Sequence, residues 1–157
     1  MTAANHPRLS LAALVAIKVG HRPRLIYRTH RGRRGSGRRK GFTEADYAAL
    51  LDAAHQQLGG PIVLIWDNLD THVSKAMAEM IATRPWLTVF RLPPYAHELH
   101  PVEPVWSHLK RSLANLTEHD LAEPTALVKT RLKRMQYRPG LLTGFLVSTG
   151  LEFGPWL

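Results

Sequence analysis

Five apolar residues in a row, Ile62–Trp66, are fenced by Gly59-Gly60-Pro61 on one side and Asp67-Asn68 on the other. An unbroken apolar run of this length suits an interior strand covered on both faces, since a strand with one wet face alternates. Residues 74–84 follow, with Met77, Met80 and Ile81 at helical spacing, and residues 87–92 form another apolar strand. Strand, helix, strand favours parallel pairing through a right-handed crossover, which places the chain in the α/β class.

The flanking segments fit that frame. Residues 9–19 are almost wholly apolar and read as a buried strand. Residues 24–29 carry Leu25 and Tyr27 on one face, and the short His21-Arg22-Pro23 link makes the pair a β-hairpin. Thr43-x-x-Asp46 is a helix start signal. Tyr47, Leu50, Leu51, Ala54 and Leu58 continue it with helical period until Gly59-Gly60-Pro61 stops it. Pro93-Pro94 closes the 87–92 strand, and a loop runs to Pro101. Pro104 suits the first turn of a helix whose inward face is Trp106, Leu109, Leu113 and Leu116. A further helix spans about residues 120–137, and an apolar tail with Leu141, Leu142, Phe145 and Leu146 packs back as a short helix. Length and the absence of repeats give one domain over residues 1–157.

Charge is distributed unevenly. The formal net charge is +9, yet residues 1–43 hold eleven Lys or Arg and no acid, while the remainder holds ten and all twelve acids. A basic segment at one end suits a polyanion, DNA or RNA above all. Arg28, Arg31, Arg33, Arg34, Arg38, Arg39 and Lys40 are the candidate phosphate contacts, and a solvated loop is the plain alternative. The run lacks the Gly-Lys-Ser/Thr of a P-loop, which argues against nucleotide binding. Lys129, Arg131, Lys133 and Arg134 form a second basic group, as well explained by a solvated helix face. No apolar run reaches the roughly 18 residues of a membrane span. The chain has no cysteine, which excludes disulfides and thiolate metal sites and fits a cytoplasmic protein.

Two acids stand where chemistry favours them. Asp67 ends the Ile62–Trp66 run, and ligands of open α/β sheets bind at the carboxyl ends of strands. Glu103 is held between Pro101 and Pro104, whose rings restrict the backbone and aim the side chain. Two hard oxygen donors on rigid elements suit Mg²⁺ or Mn²⁺. Each acid also has an ordinary reading. Asp-Asn after a strand makes a turn, and a Glu at a helix start is favoured by the helix dipole.

The surrounding residues carry a resemblance. Trp66-Asp67-Asn68-Leu69-Asp70-Thr71-His72 resembles "Asp-Asn, two or three residues, His" after a strand. Leu92-Pro93-Pro94-Tyr95-Ala96-His97-Glu98-Leu99-His100-Pro101-Val102-Glu103-Pro104-Val105-Trp106 resembles "Leu-Pro-Pro-Tyr-Ser-Pro-Glu-Leu-Asn-Pro-Ile-Glu-x-x-Trp". Both patterns are those of mariner-type DDE transposases of the bacterial insertion-sequence branch, and thirty-five residues separate Asp67 from Glu103, close to that family's spacing. Ala96, His97 and His100 depart from the pattern.

The resemblance implies a ribonuclease-H-like mixed sheet flanked by helices. It also implies Mg²⁺- or Mn²⁺-dependent DNA cleavage and strand transfer, with Asp67 and Glu103 as the second and third catalytic acids. Asn68, His72 and Glu98 would be supporting groups, and Lys110 and Arg111 would contact DNA. The family's first Asp lies on a central strand ahead of the 9–29 hairpin, and residues 1–43 contain no acid. The expectation is therefore an N-terminally truncated catalytic domain, inactive alone. Its first Asp and its helix-turn-helix would come from an upstream transposase segment, and a homo-oligomer is an open alternative. The strands on either side of the absent one would face a gap or pair directly. A non-catalytic DNA-binding or regulatory fragment is the competing function. Zinc finds no support beyond the His97, His100 pair.

Overall fold

The computed structural model describes residues 8–32, 41–114 and 124–154. The chain opens with a hairpin of β1 (Arg8–Ala16) and β2 (Arg24–Gly32), antiparallel from Arg8 opposite Gly32 to Ala16 opposite Arg24. β1 stops three residues short of the expected end. Gly20 takes the left-handed region at φ 74° and the His21 amide donates to the Lys18 carbonyl at 3.0 Å, so the connecting turn begins earlier. At its far end β2 runs on through Arg31 and Gly32, residues expected in the loop.

Helix α1 (Glu44–Leu58) starts at Thr43 with a reciprocal cap. The Asp46 amide donates to Thr43 Oγ1 at 3.3 Å and the Thr43 amide donates to Asp46 Oδ2 at 2.8 Å. It ends at Gly59 in the left-handed region, φ 66°. β3 (Ile62–Trp66) follows, then the single turn α2 (Asp70–Val73), α3 (Lys75–Ala82) and β4 (Leu87–Arg91). α2 was not expected from the sequence. Ser74 then caps α3 by accepting from the Met77 amide at 3.1 Å. β3 and β4 are parallel, Ile62 beside Leu87 through Trp66 beside Arg91. After a one-turn 3-10 helix (His97–Leu99) come α4 (Val102–Leu113), α5 (Pro124–Gln136) and α6 (Pro139–Val147). α4 begins two residues before Pro104, which sits in the first turn, where its missing N–H is not needed. Leu116 lies outside the described residues.

Alternation along the hairpin builds two layers. Leu9, Leu11, Ala13, Val15, Leu25 and Tyr27 pack against α4, α5 and α6, where Val105, Leu132 and Leu142 are fully buried. Ala12, Leu14, Ala16 and Ile26 face α1. Each full burial of such an aliphatic side chain contributes about 1.5–3 kcal/mol. The α1 layer continues under the second sheet, where Leu64, Trp66 and Leu87 meet Leu51 and Met77.

One expectation needs correcting. β3 is not covered on both faces: Leu64 and Trp66 are buried, but Val63 is 65% and Ile65 44% exposed. Of the two arrangements expected for the sheet, the described residues show the gap. β1–β2 and β3–β4 are separate two-stranded sheets, so the strands flanking the expected central position face a gap rather than pairing with each other.

Side-chain ties fix α1 to the second sheet. Arg84 donates from Nε and Nη2 to the two Asp52 oxygens at 2.7 and 2.8 Å. His55 stacks on Trp86 with ring centroids 4.0 Å apart and donates from Nδ1 to the Gly60 carbonyl at 3.0 Å.

Candidate functional site

Asp67 follows the last residue of β3, so the sheet delivers its carboxylate to a strand's carboxyl end. Its Oδ1 accepts from the Leu69 amide at 3.2 Å and from His72 Nδ1 at 2.8 Å. α2 supplies the turn that brings His72 back to it. The His72 ring lies flat on Trp66, centroids 4.1 Å apart and planes 2° apart, and meets the Tyr47 ring edge-on at 4.7 Å. Burial holds His72 below the ordinary imidazole range, and the opposing pull of Asp67 is the smaller effect. The ring is therefore neutral near pH 7. An ionised carboxylate only accepts, so Nδ1 carries the proton. The contact is a hydrogen bond from a neutral donor rather than an ion pair that would cancel the Asp67 charge.

Glu103 stands in the first turn of α4, and its amide donates to the His100 carbonyl at 3.0 Å. Its side chain is exposed and, among the described residues, forms no hydrogen bond or ion pair. His100 lies within electrostatic reach of Asp67, Glu103, His72 and His97. Burial is the main cause that lowers its pKa, Asp67 and Glu103 oppose it, and His72 and His97 reinforce it. Among the described residues no three His, Asp or Glu side chains form a metal-binding group. What the arrangement offers is two hard carboxylates, one oriented and one free, with half-buried His100 near both.

A family model described as DDE superfamily endonuclease matches residues 36–123, more than half the chain, and spans both acids. The chain belongs to the DDE superfamily endonucleases. The Mos1 transposase catalytic domain solved with Raltegravir and Mg has the same fold, with a TM-score of 0.53 at 13% identity, over 98% of this chain and 88% of that one. A second structure of the Mos1 mariner catalytic domain aligns at 0.47 and 13% identity over 98% and 87%. The Mos1 paired-end complex with Mn aligns at 0.49 and 13% identity over 93% of this chain and 56% of that one. No curated protein matches the sequence. The ribonuclease-H-like architecture expected from the motifs is the one this DDE domain adopts, with a partial sheet.

The other expected site residues fall in different places. Asn68 Nδ2 donates to the Leu92 carbonyl at 2.9 Å, which ties the loop after β3 to the end of β4. Glu98 is exposed on the 3-10 turn and makes no hydrogen bond or ion pair among the described residues. Arg28 and Arg31 lie on β2, and Lys110 and Arg111 form the last turn of α4. Arg33, Arg34, Arg38, Arg39 and Lys40 lie outside the described residues.

Sequence reasoning missed two features of this DDE domain. Helical spacing places Tyr47 in the core, and nothing local signals that its ring buttresses His72. Tyr95 is 91% exposed at φ 64°, a left-handed conformation that a bulky residue rarely takes. The Pro93-Pro94 before it was the only hint of a constrained turn.

Proposed function

We propose that this domain is the catalytic part of a DNA transposase in which Asp67 and Glu103 together hold Mg²⁺ or Mn²⁺. The observation that carries the reading is the oriented Asp67 carboxylate at the end of β3, with Glu103 unengaged at the head of α4 and His100 in reach of both. The donor set fits the ion. Mg²⁺ takes hard oxygens and is usually bound by one or two carboxylates together with substrate phosphates and water. When bound, such an ion supplies the Lewis acidity that activates a water and stabilises the leaving oxygen in phosphodiester cleavage.

The chain's own residues do the rest. His72 holds Oδ1 of Asp67 in place, as outer partners of metal-binding carboxylates do. Arg28, Arg31, Lys110 and Arg111, with the basic run at 33–40, bind DNA phosphates. Residues 1–157 form one catalytic unit that supplies two acids. An upstream transposase segment carrying a further acid and a helix-turn-helix for transposon ends would be a partner of this unit. The long motif around Glu103 supports the insertion-sequence branch, and an absence of cysteine suits a cytoplasmic setting. The absence of a three-donor group among the described residues favours a second reading, a DNA-binding fragment that regulates transposition without catalysis.

The test is DNA association and strand cleavage with Mg²⁺ and Mn²⁺. The proposal expects binding that weakens steeply with salt and survives Asp67→Asn. It expects any metal-dependent cleavage to vanish in Asp67→Asn and in Glu103→Gln. Cleavage that persists in both variants overturns it.

A further inference from the structure

Alternation along β3 and β4 leaves one face of their sheet apolar and exposed. Ile62, Leu64 and Trp66 pack toward α1 and α3, so Val63 and Ile65 point to the opposite side. In the parallel ladder Val63 stands beside Thr88 and Ile65 beside Phe90, which puts all four on that face. Phe90 is 58% exposed, and Val63 and Ile65 are exposed with it. Single hydrophobes scattered over a surface need no explanation, but three large ones side by side on two paired strands form a contiguous patch, the kind that marks a contact. DNA phosphates do not suit hydrocarbon, so the nucleic acid is not its partner.

The last described residues arrive at this place. Phe153 lines an apolar cleft of about 530 Å³ together with Val63, Ile65, Val102 and Leu146. Val102 belongs to the layer on the far side of the hairpin from α1, so Phe153 approaches β3 from the side that Val63 and Ile65 face. Gly154 then takes the left-handed region at φ 62°, which turns the chain after Phe153. Pro155, Trp156 and Leu157 follow and lie outside the described residues. Three residues reach at most about 10 Å, and neighbouring strands are only about 4.8 Å apart. We propose that Trp156, with Leu157 beside it, folds back over Val63, Ile65 and Phe90 as a C-terminal strap on the outer face of β3 and β4. An indole suits the patch, since a buried aromatic side chain covers about 150–250 Å². Pro155 has no amide N–H to leave unpaired against hydrocarbon. A short tether gives Trp156 an effective concentration in the millimolar range, on the order of what a second copy reaches only at high protein concentration. The strap braces β3 immediately before Asp67 and does not depend on the metal reading.

The experiment uses the full 157-residue chain. Side-chain NMR of the dilute protein should show contacts from the Trp156 indole to the Val63 and Ile65 methyls and to the Phe90 ring. Contacts to Ala13 and Val15 instead put the indole in the cleft and overturn the proposal, as does the absence of contacts to either set. Contacts that grow with protein concentration assign the face to a second copy and overturn it as well. Chemical denaturation gives an independent reading. Trp156→Ala and Phe90→Ala should each raise the unfolding equilibrium constant about tenfold. The double variant should raise it by roughly fivefold or more less than the product of the two single effects. Single effects that simply multiply mean that the two rings do not touch, and the strap is then wrong.

Discussion

His72 donates a hydrogen bond from Nδ1 to Asp67 Oδ1 at 2.8 Å while its ring lies flat on Trp66. The strand that ends in Asp67 thereby also supplies the surface that orients the histidine holding it. His72→Ala should lower stability by roughly 2–3 kcal/mol, because a buried ring and its contacts are lost. It should also weaken Mn²⁺ binding. His72→Asn, whose amide nitrogen can take the place of Nδ1, should recover much of the metal affinity and little of the stability. Urea unfolding and Mn²⁺ titration separate the two effects. Equal loss of both in the Asn variant would make His72 merely structural.

Arg84 holds Asp52 across α1 and the turn before β4. The hydrogen bond from Arg84 is the largest cause that keeps the Asp52 carboxyl below the ordinary carboxylate range. A group whose folded pKa is depressed contributes stability that is present above its unfolded value, about 3.9, and lost as pH falls through the folded value. Asp52→Asn should therefore destabilise at pH 7 and have little effect in acid below both values. The Asp52 side chain is 45% exposed, so solvent screening should limit the loss to about 1 kcal/mol. Melting temperatures of both proteins across pH 2–7 check the direction.

Thr43→Ala should cost about 1 kcal/mol by removing the reciprocal cap of α1, and Thr43→Ser should be nearly neutral. α1 lies under both sheets, so the loss should appear in global unfolding rather than local fraying. Chemical denaturation of the two variants decides this.

Tyr95 packs against little and holds a left-handed backbone. Tyr95→Gly should leave stability unchanged or raise it by up to about 1 kcal/mol, because glycine takes φ near +60° without strain. A loss of more than 1 kcal/mol would show that the ring is held by contacts. Differential scanning calorimetry is sufficient.

Much of this was legible in the residues. The Gly59-Gly60-Pro61 stop, the Thr43/Asp46 cap and the apolar run before Asp67 specify α1, β3 and their order by local rules. The apolar run misled on one point. Val63 and Ile65 match an interior strand in composition, but whether a face is covered depends on which helices cross it, and sequence distance does not encode that. His72 was legible only as a motif residue. Its contact with Asp67 needs the turn α2, and its stacking on Trp66 needs a ring orientation that no spacing rule carries. The gap between β1 and β3 was anticipated as one of two outcomes, because the choice rests on long-range packing of α1 against both sheets.

The account depends on Asp67 and Glu103 sharing one divalent ion. Residue-resolved NMR of the chain titrated with Mn²⁺ tests this directly, since the paramagnetic ion broadens signals near it. Signals of Asn68 and His72 should broaden together with those of Val102, Glu103 and Val105, at one Mn²⁺ concentration. Asp67→Asn and Glu103→Gln should each abolish both sets. Broadening confined to one acid, or unchanged in either variant, would contradict the account.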